Sequence, residues 1–277
     1  MQRLPPKLNP TPQITRYQQW LARERGMHFD SYHALWAWST TDISAFWQSV
    51  WDYFDIQSPT RHRAVVENAV MPGAVWFPGA QVNYAAQALR HAERAHAAGH
   101  PAIVFQNENM AAPQSITWLE LLRCVGAFAQ QLRASGVMRG DRVCAYLPNS
   151  PDAVVAMLAT ASRGAIWSVC SPDMGPVAVL DRFRLIAAVV LIAVDGQHYG
   201  GRSHDRRPVL AELLDGLPSV TDFILWPYQL READADLPHD VGGELALGPG
   251  GRGQGRDQRD ADGVVAALPL RGVGEGL

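Results

Sequence analysis

The stretch DRVCAYLPNSPDAVVAMLATASRGAIWS, residues 141–168, reads as strand, helix, strand. Asp141–Leu147 is a short apolar run. Ser150 stands at an N-cap, with Pro151 at the first helical position, where its fixed φ and missing N–H suit a helix start. The helix runs to Arg163, and Gly164 leads into the strand AIWSV. Two strands joined by one helix at this spacing imply a right-handed parallel crossover. The fold class is therefore α/β.

The same alternation continues on both sides. Ala187–Val194 (AAVVLIAV) is rich in β-branched residues and flanked by short helices, so it reads as a strand buried on both faces. Val220–Trp226 is a further strand. On the N-terminal side, Thr117 and Glu120 form a T-x-x-E capping box, and the helix behind it ends at Ser135 with Gly136 in the C′ position. Pro101–Gln106 is a strand candidate, so residues from about 100 to 228 read as βαβ units. Upstream, a helix spans Ile14–Arg25 and ends at Gly26; a second begins at the N-cap Asp42. Ile43, Phe46, Trp47, Val50, Trp51 and Phe54 make one apolar stripe on that second helix. Such a stripe reads as core packing before it reads as an aromatic ligand platform.

Composition divides the chain into a helical segment, residues 1–95, an α/β segment, 96–236, and a tail, 237–277, dominated by Gly, Arg and Asp. After Tyr228 there is no Trp, Tyr or Phe, and such a tail is expected to bury too little apolar surface to order itself. A net charge of −3 gives no reason to expect nucleic acid or an anionic membrane as partner. The N-terminus has no apolar leader, and the longest apolar run is too short to span a bilayer. Cys124, Cys144 and Cys170 are odd in number and lie in apolar stretches without CxxC spacing, which fits core residues in a reducing cytoplasm. Lys7 is the only lysine.

Several weaker patterns read as structural. Gly248, Gly250 and Gly253 satisfy G-x-G-x-x-G, but the following QGRDQRD has no apolar period to make the required helix. His96 and His100 have chelating spacing, yet Gly99 lies between them and no carboxylate accompanies them, so no metal site is assigned. Arg206 and Arg207 read as surface charges.

Larger blocks carry a resemblance. WFPGAQVNYA (76–85) resembles the WF-x-G-x-x-N-Y segment of acetyl-CoA synthetase relatives. Residues 116–168, with GDRV (140–143), PNSP (148–151) and GAIWS (164–168) in order, resemble the first block of the AMP-forming, adenylate-forming superfamily. CSPDMG (170–175), DRF (181–183) and LIAVDGQHYGGR (191–202) are similar to its acetoacetyl-CoA synthetase branch. The resemblance covers about residues 20–230. It implies an incomplete adenylate-forming N-terminal domain behind a helical segment. For the intact family enzyme it implies a two-step ligase reaction. Acetoacetate attacks the α-phosphorus of ATP, with Mg²⁺ accompanying, and the CoA thiol then displaces AMP. The resemblance thus suggests small-molecule partners (acetoacetate, ATP and CoA) and a place in lipid and ketone-body metabolism.

The family's phosphate loop, of the form (T/S)-S-G-(S/T)-T-G-x-P-K, has no counterpart among these 277 residues, nor has its C-terminal lysine. No catalytic residue is assigned, and this chain by itself is expected to be inactive. The joint loss of aromatic content and family likeness raises the expectation of a frameshift near residues 235–245. One ligand position carries over. In related synthetases a basic residue in the loop after the AVDG-like strand contacts the 3′-phosphate of CoA, and Arg202 matches it, with Gly200 and Gly201 letting the backbone approach. Where acetate enzymes place a second arginine, this chain has Tyr199 beside His198. An exposed Gly-rich turn with an ordinary surface arginine is the other reading of that loop. A non-catalytic CoA- or nucleotide-binding module and a structural remnant are the other readings of the chain.

Overall fold

The structure, a computed structural model, describes residues 11–228. The segment 237–277, with its expected disorder, frameshift and glycine triplet, lies outside the described residues. The chain divides into two units at Val82/Asn83.

In the first unit, α1 (Gln13–Arg25), α2 (Tyr32–Thr41) and α3 (Ile43–Tyr53) precede a small antiparallel pair, β1 (Val66–Glu67) and β2 (Val75–Trp76). Asp42 caps α3 as expected, accepting from Ala45 N at 3.0 Å. The α3 stripe splits between two aromatic patches. Phe46 and Val50 pack with Tyr17, Leu21 and Leu35 of the other helices. Trp47 meets Trp76 edge-on, and Trp51 lies on Phe77. The helix α2 carries no apolar period in its sequence; its start is set by Ser31, whose hydroxyl accepts from Ala34 N at 3.1 Å.

The second unit opens with two short helices, α4 (Tyr84–Leu89) and α5 (Ala92–Ala97), and a hairpin, β3 (Ile103–Phe105) and β4 (Gln114–Ile116). The strand expected at Pro101–Gln106 therefore pairs antiparallel with β4, in register Ile103↔Ile116, outside the main sheet. Then follow α6 (Trp118–Ala134), β5 (Arg142–Tyr146), α7 (Pro151–Ser162), β6 (Ile166–Cys170), α8 (Pro176–Ile186) and β7 (Val190–Val194). A second hairpin, β8 (Gly196–Tyr199) with β9 (Arg202–Asp205), precedes α9 (Arg207–Gly216) and β10 (Asp222–Trp226). The strand expected from Ala187 begins at Val190 instead, because Ala187 ends α8 in a left-handed conformation (φ 48°). Arg142 reaches across to donate to the carbonyls of Ile186 (2.7 Å) and Ala187 (2.6 Å), satisfying that helix end.

The main sheet has the order β10-β7-β5-β6 and is parallel throughout. Side-chain alternation makes it three layers deep. Val143 and Ala145 of β5, Val190, Ile192 and Val194 of β7, and Ile224 of β10 pack with Val125, Phe128 and Ala159 of α6 and α7. The intervening residues Cys144, Tyr146, Leu191, Ala193 and Phe223 pack with Val179 and Phe183 of α8 and Leu210 and Leu213 of α9. All five residues of β7 are buried. At the β6 edge, Ile166 and Val169 remain about half exposed.

The chain lays β6 on one side of β5, then β7 and β10 on the other. The strand order thus reverses between β5 and β7. In open parallel sheets the crevice outside the carboxyl ends at such a reversal is where ligands bind.

Candidate functional site

Asp195, at the carboxyl end of β7, is 2% exposed. Its main-chain carbonyl accepts from Arg206 N at 2.8 Å, which closes the base of the β8–β9 hairpin. Its Oδ1 accepts from Tyr228 N at 2.8 Å, just beyond β10. The hairpin is therefore rooted in the core at the reversal point. Its strands pair from Gly196↔Asp205 to Tyr199↔Arg202. His198 Nδ1 meets Ser203 Oγ at 3.2 Å, and His204 Nε2 meets the Tyr199 carbonyl at 3.3 Å, bracing the strands.

Gly200 and Gly201 form the two-residue turn, with φ of 62° and 71°. A hairpin turn of this kind needs left-handed backbone at both central positions, and glycine adopts it without strain. A Cβ at either position would meet no atom within 4 Å, so the turn faces open space. Backbone direction alone accounts for both glycines. The chemistry rests on their surroundings.

The arginines near this hairpin differ in what they hold. Arg207 grips Asp205 as a fork, Nε to Oδ1 at 2.9 Å and Nη2 to Oδ2 at 2.7 Å. That contact holds the Asp205 carboxyl below the usual carboxylate range and raises the Arg207 guanidinium. Arg206 carries a buried Nε without a hydrogen-bond partner among the described residues. Both are half-buried rather than the surface charges expected. The Arg202 side chain is exposed and makes no hydrogen bond or ion pair among the described residues. The Gly201 N–H donates to Glu108 Oε2 at 3.3 Å, from the loop between β3 and β4. Of the expected set, Gly200, Gly201 and Arg202 fall together at one exposed tip. Glu108, 93 residues away, went unread because no local pattern links it to that turn.

Neighbouring loops at the same end of the sheet are fixed by a buried phenol. Tyr146, at the end of β5, shares its hydroxyl proton between the carbonyls of Pro172 (2.7 Å) and Met174 (2.9 Å). Burial raises its pKa. In that loop the Ser171 hydroxyl, bonding Asp173, leads in holding the Asp173 carboxyl below its ordinary range.

No nucleophile emerges from the thiols. Burial pushes Cys144 up to about 12 and raises Cys124 and Cys170, which keeps all three protonated at neutral pH. Among the described residues no group of three His, Cys, Asp or Glu side chains is placed to hold a metal ion. His96 lies on α5, while His100 follows the end of that helix. Among the described residues no helix is long and apolar enough to cross a membrane. In the first unit an apolar cavity of about 300 Å³ opens between the helices, lined by Ile14, Trp36, Phe46 and Phe54 among others.

Comparisons with known proteins agree on this framework. A family model described as "AMP-binding enzyme" matches residues 89–244, and one described as "Acetyl-coenzyme A synthetase N-terminus" matches residues 32–88. Acetoacetyl-CoA synthetase of Danio rerio is 34% identical over 263 residues, 93% of this chain and 38% of the relative. Acetoacetyl-coenzyme A synthetase of Rhizobium meliloti is 38% identical over 192 residues, 69% of this chain and 29% of the relative. The solved structure of acetoacetyl-CoA synthetase from Streptomyces lividans is 41% identical with a TM-score of 0.75, covering 91% of this chain and 35% of that one. The chain spans about a third of the length of the curated relatives it matches.

Proposed function

The chain belongs to the AMP-binding enzyme family, and from that premise we propose that it is the N-terminal part of an ATP-dependent acetoacetate–CoA ligase. In this reading residues 1–95 are the helical N-terminal segment and 96–236 a part of the adenylation domain, working in the cytoplasm. The reaction joins acetoacetate to CoA with release of AMP and pyrophosphate, ATP arriving with Mg²⁺. The 277 residues hold neither the phosphate loop nor a lysine beyond Lys7. Adenylate formation relies on positioned cations and phosphate-cradling backbone, so these residues alone bind CoA without turning it over.

The observation that carries the reading is Arg202. It is an exposed guanidinium without a partner among the described residues, beside an open two-glycine turn rooted at the reversal point of the sheet. A planar fork of donors suits a phosphate. Calorimetry with CoA tests it: Arg202→Ala should weaken CoA binding about tenfold, the worth of a charge-assisted hydrogen bond. Unchanged affinity would remove the site. An assay of acetoacetate-dependent pyrophosphate release should give nothing from the purified 277-residue chain. Turnover there, with host enzyme excluded, would overturn the expectation of inactivity.

A further inference from the structure

The tip of the β8–β9 hairpin already holds an anion, and that anion belongs to the chain. Gly201 N–H points at the Glu108 carboxylate, and the side chain of Arg202, the next residue, has no partner among the described residues. We propose that Glu108 is an internal competitor at this tip: its carboxylate occupies the backbone donor a ligand phosphate would take, and it tunes how strongly a phosphate is preferred there.

Three observations support this assignment. The contact is 3.3 Å long, against roughly 2.7–2.9 Å for a firm charge-assisted bond, so it is weak enough to exchange. Glu108, Gly201 and Arg202 are all exposed, so a displaced carboxylate returns to water at little cost. The loop carrying Glu108 is nevertheless organised. Asn107 accepts from Asn109 N on its side chain (3.0 Å) and from Met110 N on its carbonyl (3.1 Å), and Gln106 Nε2 donates to the Met110 carbonyl at 3.2 Å. The carboxylate is thus presented to the turn by a held loop.

A phosphate at Gly201 N–H and Arg202 must displace Glu108 and then lie beside it. Repulsion between two solvated anions at contact distance is worth about fivefold in affinity. Glu108 therefore lowers the affinity for a ligand carrying a phosphate at this tip and leaves the same ligand without that phosphate almost unaffected. The inference rests on the CoA reading of Arg202, and the experiment separates the two.

Isothermal titration of the 277-residue protein with CoA and with 3′-dephospho-CoA is run on the native chain, Glu108→Gln, Glu108→Ala and Arg202→Ala. Glu108→Gln is near-isosteric, and thermal melts followed by circular dichroism check each variant's fold. The expected result is CoA binding tightened about fivefold by either Glu108 variant, with 3′-dephospho-CoA changed less than twofold. Arg202→Ala weakens CoA alone. If Arg202→Ala weakens CoA while both Glu108 variants leave it unchanged, the competitor role fails and the CoA site stands. Equal tightening of both ligands also ends the competitor role, because the carboxylate would then act on the whole molecule. If CoA binds none of the proteins, or binds Arg202→Ala as tightly as native, the CoA reading fails and the inference goes with it.

Discussion

β7 and the β8–β9 hairpin are separated by a single residue, Asp195, yet they obey different physics. Every residue of β7 is buried between two helical layers, and its strand partners lie on both sides. The hairpin tip, beginning at Gly200, is exposed and built from glycines, beside an arginine whose side chain has no partner among the described residues. One segment derives its order from removing apolar surface from water, the other from backbone geometry and a buried anchor. Stability should therefore respond to changes in β7 and its neighbours, while ligand affinity should respond to changes at the tip.

The largest effect that would sharpen this contrast is alkaline. Cys144 lies beside β7 with its thiol pushed from 9.0 to about 12 by burial. A group whose folded pKa is raised stabilises fully below its unfolded value and loses that contribution as pH climbs through the folded value. At about 1.4 kcal/mol per unit, stability should fall by roughly 4 kcal/mol between pH 9 and pH 12 on this account. Denaturant unfolding across that range, on the native chain and on Cys144→Ala, checks it; identical slopes in the two would remove the thiol as cause. Next in size, Ile192→Ala in β7 should cost about 3 kcal/mol through lost burial and the cavity left behind, read as a lowered denaturant midpoint. A cost near zero would mean that the three-layer core is wrong.

Tyr146→Phe comes third. It leaves the carbonyls of Pro172 and Met174 without their shared proton and should cost about 1–2 kcal/mol. Smallest is the stability effect of Arg202→Ala, within about 0.5 kcal/mol, as for most surface changes away from special backbone or packing. A larger loss there would break the division between scaffold and tip. It would also mean that the arginine has an internal partner.

The parts of the fold written locally were legible in the sequence. The unit β5–α7–β6 follows from a proline at the helix start and a return to β-forming residues, all within thirty positions; Ser150 stands at the N-cap in extended backbone, but its hydroxyl turns to Asp152 Oδ2 at 3.4 Å and makes no cap bond. Thr117 caps α6 as expected, accepting from Glu120 N at 3.2 Å. Helix α2 was missed because YHALWAWSTT has no polar face to give it a period, although Ser31 marked its start. The segment around Ile103 looked like another strand of the parallel sheet because an apolar run carries no information about its partner; pairing with β4 made it a hairpin. The glycine turn and Arg202 were readable as a candidate phosphate contact. That Arg207 would be held by Asp205, while Arg202 found no partner among the described residues, was not.

From its residues alone, this chain could be placed in its fold class and family, with one candidate ligand position. Those conclusions rest on caps, periodicities and motif strings, which act over a turn or two of chain. The tertiary structure decided the order β10-β7-β5-β6, the reversal beside Asp195 and the approach of Glu108 to Gly201 N–H. Each joins residues tens of positions apart, and such contacts are selected by the packing of the whole unit, which no short window of sequence encodes.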